Sequence, residues 1–566
     1  MEEEPRTTKI LAGLLALFCL FALLYRLGSA ALFEPDEGRN AEIAREILVL
    51  QNWTTPHYNF VPRLDKPIFF YWLIAFSYKI FGVSEWSARL PSVIAALGCV
   101  ATTFLWAKGI LGTWQALWAG LILATSVEFM ILARTVIVDM PLNFLMTLSL
   151  ASFFAGTRVE RRSMKRLLFL LMFAALGFAT VLKGPVGILL PALVIGSYIV
   201  CSRQWFLGRE MNPLSGWFVF LSIVVPACVW TEMHNHGFLR YFLLEENLGR
   251  FFSARFNRQQ PLYYYLLVLT VGFLPWSLLL FGGAKFWRKK ITDERILFLV
   301  LWIVVPLAFY TLSRSKQPAY ILPAFPPAAI LSAEFLVDLI KDRSAKGRLM
   351  LAGPWLLLAG MILALIPGPQ WANVLTSAAN SHVARILYSI SLTHLITLWA
   401  AFALLAWMSW KALWRKAEAF YVSYCAGMVL FVAFSQQVAS GVSVARSSKD
   451  LAEESAMLVD SNHPIVMYGA NLSSLPFYLQ AHRPVWIVTS RKRTIMGSAY
   501  VAGRLARQDD QLKKIVFTPE EFSRLPDGVK RQLWIFTPTR DLPRLRALGV
   551  IDTIRDGQAI RLVRFR

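Results

Sequence analysis

Along most of the 566-residue chain, apolar runs about twenty residues long alternate with short polar connections. A helix needs about 20 such residues to cross roughly 30 Å of hydrocarbon. The pattern predicts about thirteen transmembrane helices, centred near residues 20, 98, 122, 147, 173, 192, 222, 273, 304, 328, 358, 398 and 429. Beyond about residue 440 the pattern changes. "HPIVMYG", "RPVWIVTS", "KKIVFT" and "RQLWIFT" are short, β-branched or aromatic, and bounded by turn formers, which predicts strands. "SSKDLAEESAMLVDS" between them has helical spacing. The expected fold class is a polytopic α-helical membrane protein (residues 1–439) followed by a small C-terminal α/β domain (440–566).

Composition strengthens this picture: 56% of residues are hydrophobic and the mean hydropathy is +0.50, more than a soluble interior hides. The connections after even-numbered spans, among them "TRVERRSMKR", "KFWRKKITDER", "KDRSAKGR" and "KALWRKAE", are rich in Lys and Arg. The positive-inside rule then places them, with the N-terminus, in the cytoplasm. An odd span count puts the C-terminal domain and two long connections, 26–87 and 231–262, on the opposite face. The net charge of +23 reads as a basic rim facing anionic lipid rather than as a nucleic-acid surface. Cys19, Cys99, Cys201, Cys228 and Cys425 all lie in apolar runs, which argues against a disulfide framework and a structural zinc. The first apolar run lacks a small-residue cleavage site and reads as a retained span.

Charge collects on the face opposite the basic connections. "FEPDEGRNAEIARE" predicts a helix beginning near Glu34-Pro35, with Asp36 and Glu37 in its first turn and Arg39 on the face of Asp36. Acids there also suit the helix dipole, a purely structural reason for their presence. "PRLDKPIFFYW" brings Asp65 and Lys66 ahead of Tyr71, "ARTVIVDMPLNF" opens a span with Asp139, and "TVLKGPVG" turns at Lys183. "LLEENLGRFF" supplies Glu246 and Arg250, and "SRSKQPAYILP" supplies Lys316 and Tyr320. One lysine at a helix end often only reaches for headgroups. A convergent set of cations with a few carboxylates suits a phosphate held beside a reacting centre.

The ordered series "PDE…R…AEIARE", "KPIFFYWL", Asp-x-Pro opening the fourth span, "KG", "E-x-x-x-RF", "PLYYY", "LPW" and "K-x-P-x-Y-I-L-P" resembles the bacterial aminoarabinose (4-amino-4-deoxy-L-arabinose) lipid A transferases, within the protein-O-mannosyltransferase-like membrane glycosyltransferases. The likeness is good over about residues 10–340. It implies a C-type glycosyltransferase fold in the bacterial inner membrane, with the C-terminal domain periplasmic. It also implies sugar transfer, usually with inversion, from a polyprenyl-phosphate (undecaprenyl-phosphate) donor to a periplasmic-face acceptor such as lipid A or another glycolipid. By the same resemblance Asp36, Glu37 and Asp139 are the expected catalytic acids. Lys66, Arg39, Lys183, Arg250 and Lys316 are expected to hold the carrier phosphate, and Asp65, Tyr71, Glu246 and Tyr320 to line the substrate cavity. Asp65-Lys66-Pro67 and Glu246-Asn247 stand where the family has Glu-Lys-Pro and Glu-His. No cofactor is required by this reading, and the absent histidine leaves a divalent metal unsupported. Two other readings compete. One is a related transferase with another sugar or acceptor, such as a protein O-mannosyltransferase or a galacturonate transferase. The other is a flippase of lipid-linked sugars, which would carry mid-depth charges and related halves.

Overall fold

A computed structural model describes residues 5–252, 259–341, 447–459, 463–490, 492–556 and 560–566, with isolated positions between 403 and 443. Its first half comprises α1 (Pro5–Leu24), α2 (Asp36–Leu50), α3 (Phe69–Phe81), α4 (Glu85–Leu111), α5 (Thr113–Thr125), α6 (Val127–Ala133), α7 (Asp139–Arg158), α8 (Arg162–Lys183) and α9 (Val186–Ser202). The helices Pro213–His234, Glu294–Leu312 and Phe325–Lys341 follow. Among the described residues six helical stretches are long and apolar enough to cross a membrane, or eight if each of two bent pairs counts as one span. The first ten expected span centres fall on described helices or, at 273, at the end of one. Those near 358 and 398 lie outside the described residues, and around 429 only isolated positions are described. The chain is a polytopic helical membrane protein with a C-terminal α/β domain.

Two spans are broken where continuous helices were expected. α5 and α6 meet at 68°, and Tyr264–Gly272 meets Ser277–Lys289 at 116°. At the first break the Thr125 and Ser126 hydroxyls donate back to the carbonyls of Leu121 and Ile122, at 2.6 and 2.7 Å, a bonding mode that bends helices. Each break then satisfies the other: the Val127 amide donates to the Leu274 carbonyl (3.2 Å) and Trp276 Nε1 to Thr125 Oγ1 (3.0 Å). Backbone groups released inside an apolar layer need such partners.

The two ends of the bundle carry different chemistry. At one end Arg158 pairs with Glu294, and Lys165 with Glu210, in the basic connections. At the other lie the N-terminus of α7, the C-terminus of α8 and the connection 26–87. α2 is atypical for its setting, since Glu37, Arg39, Glu42, Arg45 and Glu46 are all buried in it. Each is buried against a partner. Arg45 binds both oxygens of Glu42 (2.7 Å each) and the Ala481 carbonyl (2.6 Å). The Glu46 carboxylate accepts from the Phe60 amide at 2.9 Å, beside the short hairpin of β1 (His57–Tyr58) and β2 (Val61–Pro62).

The C-terminal domain is a six-stranded sheet. β3 (Ile465–Tyr468), β4 (Trp486–Val488), β5 (Val516–Phe517) and β6 (Trp534–Pro538) run parallel, and β7 (Ile551–Asp556) with β8 (Ile560–Phe565) extends the β6 edge antiparallel, giving the order β5-β4-β3-β6-β8-β7. All four expected strand segments are strands, and Lys449–Ser455 is the expected helix. The hairpin of β7 and β8 was not anticipated. The β4–β5 side packs on the connection 26–87 through Ile487, Ile495, Met496, Val501, Leu512, Ile515 and Val516. The Glu34 carboxylate accepts from the Ser473 and Ser474 amides (2.6 and 2.7 Å) and the Ser474 hydroxyl (2.6 Å). Gly38 permits that approach, because a Cβ there would lie 2.6 Å from the Ser474 nitrogen.

Candidate active site

Asp139 opens α7 and Lys183 closes α8, and their side chains form an ion pair. A carboxylate at a helix N-terminus and an ammonium at a C-terminus each suit the local dipole, so two neighbouring helix ends of opposite polarity are joined here. Asp36, in the first turn of α2, pairs with Arg39 one turn on. Asp36 stays half-exposed while Arg39 is almost buried.

Lys66 lies between these two pairs electrically. Burial, then the Arg39 cation, push its amine down to about 8 from 10.5, with Lys183 acting in the same sense and Asp36 and Asp139 opposing. Among the described residues the Lys66 ammonium makes no hydrogen bond or ion pair. The cluster therefore holds three cations (Arg39, Lys66, Lys183) and two carboxylates (Asp36, Asp139), and the unmatched charge is on Lys66. The preceding residue is tightly fixed: Asp65 binds the Arg63 guanidinium at 2.6 Å, the Ser498 hydroxyl at 2.8 Å and the Tyr241 hydroxyl at 3.1 Å.

Other expected residues surround this centre. The Lys183 ammonium lies 4.9 Å over the Tyr320 ring. Lys316 is buried and donates to the Gln260 carbonyl at 2.9 Å, so one of its protons is already committed. Tyr71 is buried in α3, in the field of Arg63 and Arg39. Glu246 is buried in the Tyr241–Leu248 segment, whose Asn247 side chain donates through Nδ2 to the Phe242 carbonyl (2.7 Å). The side chain of Arg250 lies outside the described residues.

Glu37 corrects the expectation of a third catalytic acid. It is 1% exposed, and both its oxygens are engaged. Oε1 accepts from Arg89 Nε and the Val136 amide, and Oε2 from Arg89 Nη2 and the Phe33 amide, all at 2.9–3.0 Å. The remaining Arg89 donors reach the Leu27, Ala30 and Ala31 carbonyls at 2.7–3.0 Å. A carboxylate so saturated holds α2 against α4 and has no capacity left for a substrate. Sequence reasoning missed Arg89, although an arginine in the first turns of a long apolar helix is costly enough to demand a partner. It also missed Arg63, Tyr241 and Glu34, whose carboxyl burial raises to about 7.

A polytopic helical bundle carrying a small C-terminal α/β domain, with this cation cluster at one end, can be compared with proteins of known name and fold. The family profile described as dolichyl-phosphate-mannose-protein mannosyltransferase matches residues 65–230. An undecaprenyl phosphate-alpha-4-amino-4-deoxy-L-arabinose arabinosyl transferase of Edwardsiella ictaluri is 28% identical over 443 residues, 76% of this chain and 78% of that protein. Its namesake from Aeromonas hydrophila is 30% identical over 350 residues, 60% of this chain and 62% of that one. In three dimensions the chain is similar to ArnT from Cupriavidus metallidurans bound to undecaprenyl phosphate, with a TM-score of 0.80, 24% identity, and 98% and 97% of the two chains covered. The chain is thus similar to membrane glycosyltransferases in sequence and in fold. Within that class the chain is similar to the aminoarabinose transferases along most of its length and to the mannosyltransferase profile over residues 65–230.

Proposed function

We propose that the protein moves 4-amino-4-deoxy-L-arabinose, a pentosyl group, from undecaprenyl phosphate to lipid A, with inversion at the anomeric carbon. We further propose that it does so at the periplasmic face of the bacterial inner membrane, with its N-terminus in the cytoplasm. The names of its relatives support the sugar and its undecaprenyl-phosphate carrier, and lipid A as acceptor follows from the sequence resemblance. The observation that carries the reading is the unmatched positive charge on Lys66 between two ion pairs.

The donor is a phosphodiester of charge −1. When the acceptor oxygen attacks the anomeric carbon and the carbon–oxygen bond to phosphate breaks, the bonding pair stays on the phosphate, which becomes a monoester approaching −2. Lys66, with Arg39 and Lys183 beside it, is the group that strengthens its hold as that charge grows, and such preorganised donors lower a barrier without reorganising. Lys316 extends the same basic surface in this scheme, and Arg250 is assigned to the carrier phosphate on the sequence resemblance alone. Asp36, half-exposed, orients the acceptor, and Asp139 keeps Lys183 in place. A lipid A phosphate is already anionic and requires no general base. The polar groups of Asp65, Tyr71, Glu246 and Tyr320 are assigned to the sugar side of the site.

Expression in a host lacking its own transferase, followed by mass spectrometry of lipid A, tests the proposal. The expected result is a mass increase of one aminopentose with wild type and none with Lys66→Ala or Asp36→Asn. The mannosyltransferase profile match favours one second reading, transfer of a hexose to periplasmic proteins. Hexosylated proteins with unaltered lipid A in the same experiment would replace the first reading with the second.

A further inference from the structure

The C-terminal domain touches the loop that carries Lys66 at three consecutive residues, 496–498. Arg63 donates to the carbonyls of Met496 and Gly497, and the Ser498 hydroxyl donates to Asp65. Ser498 also caps the helix Ala499–Ala506 by accepting from the Val501 amide at 3.1 Å, so its position is fixed by its own domain. Gly497 has φ +64°, and a Cβ on it would lie 2.9 Å from Arg39 Nη1. It is nevertheless solvent-exposed, so this stretch borders the cation cluster on its open side.

From these contacts we infer that residues 496–498 form one wall of the reaction site, with Gly497 and Ser498 as positioning residues for Arg39 and for Asp65-Lys66. The inference rests on the reading of Lys66 and Arg39 as carrier-binding cations. It gives the C-terminal domain a part in the chemistry: the domain sets the two cations from above while α2, α7 and α8 set the acids from below.

The test uses the full chain in detergent, with two controls from the same domain. Gly503→Ala adds a methyl group where nothing lies within 4 Å, and Thr518→Ala removes a helix cap far along the chain from the site. Two properties are read: transfer rate, and the pH dependence of trace acetylation of Lys66 followed by mass spectrometry. Gly497→Ala is expected to lower transfer roughly tenfold or more, because displacements of about 1 Å in a site have effects of that size or larger. With Arg39 pushed aside, half-maximal Lys66 acetylation moves to higher pH. Ser498→Ala is expected to lose roughly tenfold in transfer with the thermal midpoint of Thr518→Ala. Gly503→Ala and Thr518→Ala retain wild-type rate and acetylation profile. If wild-type Lys66 titrates near pH 8 but Gly497→Ala and Ser498→Ala match the two controls in both readouts, the inference is overturned. If wild-type Lys66 itself titrates as an ordinary lysine, the reading of the cation cluster fails first.

Discussion

Replacing Lys66 by Met keeps the length and volume of the stem and removes only the charge. The cluster then changes from three cations and two carboxylates to two of each, and the growing charge on the phosphate meets no surplus. Loss of one preorganised donor of this kind costs about 2.7–4 kcal/mol of barrier, or roughly 10²–10³ in rate. Folding should not suffer. Moving the amine from 10.5 to about 8 reflects a cost on the order of 3 kcal/mol for holding it charged. That figure is an upper one, because the side chain is partly solvated. The folded-state value is depressed, so the cost is fully present below pH 8 and is relieved as pH rises from 8 to 10.5. Lys66→Met is therefore expected to be as stable as wild type or more so at pH 7, with the gain disappearing above pH 10.5. Transfer from undecaprenyl phosphate-linked sugar to lipid A, measured beside the thermal midpoint, checks both halves. Transfer within threefold of wild type, or an unfolded variant at pH 7, would refute the reasoning.

Other consequences are equally direct. For the free enzyme, kcat/KM should be level below pH 8 and fall about tenfold per pH unit above it as Lys66 loses its proton; Lys66→Arg, charged throughout this range, should lose that limb. Arg89→Ala strands the buried Glu37 charge and should lower stability by about 3–5 kcal/mol, seen as a fall in thermal midpoint. Lys183→Ala leaves Asp139 without its cation and should abolish transfer, whereas the double variant Lys183→Ala/Asp139→Asn should recover the thermal midpoint but not the activity. The Glu34 carboxyl, raised to about 7, favours the folded state most below about pH 4.5, and that contribution is lost as pH rises through 7. Glu34→Gln should flatten the thermal midpoint over that interval.

Much of this architecture is legible from hydrophobic periodicity, because a span and a buried parallel strand both announce themselves as uninterrupted apolar runs. The breaks at Ser126 and at 273–276 are not, since they depend on two distant segments supplying each other's hydrogen bonds. β7 and β8 escaped notice because arginines interrupt their alternation. In the site, residue type and order singled out Asp36 with Arg39, and Lys66, Asp139 and Lys183, but not the pairing of Asp139 with Lys183. Glu37 looked equivalent to Asp36 in sequence; only the fold brings Arg89 and two backbone amides to it and closes it off. The contact of the C-terminal domain with the Asp65 loop was hidden for the same reason, since Ser498 lies 433 residues from Asp65.

The most direct test of the account is protection of Lys66 from trace acetylation at pH 8.5 by undecaprenyl phosphate, with binding of the lipid followed in parallel by the rise in thermal midpoint. The account predicts that Lys66 is shielded in proportion to bound lipid while exposed lysines such as Lys108 react unchanged. Equal acetylation of Lys66 with and without saturating bound lipid would contradict it.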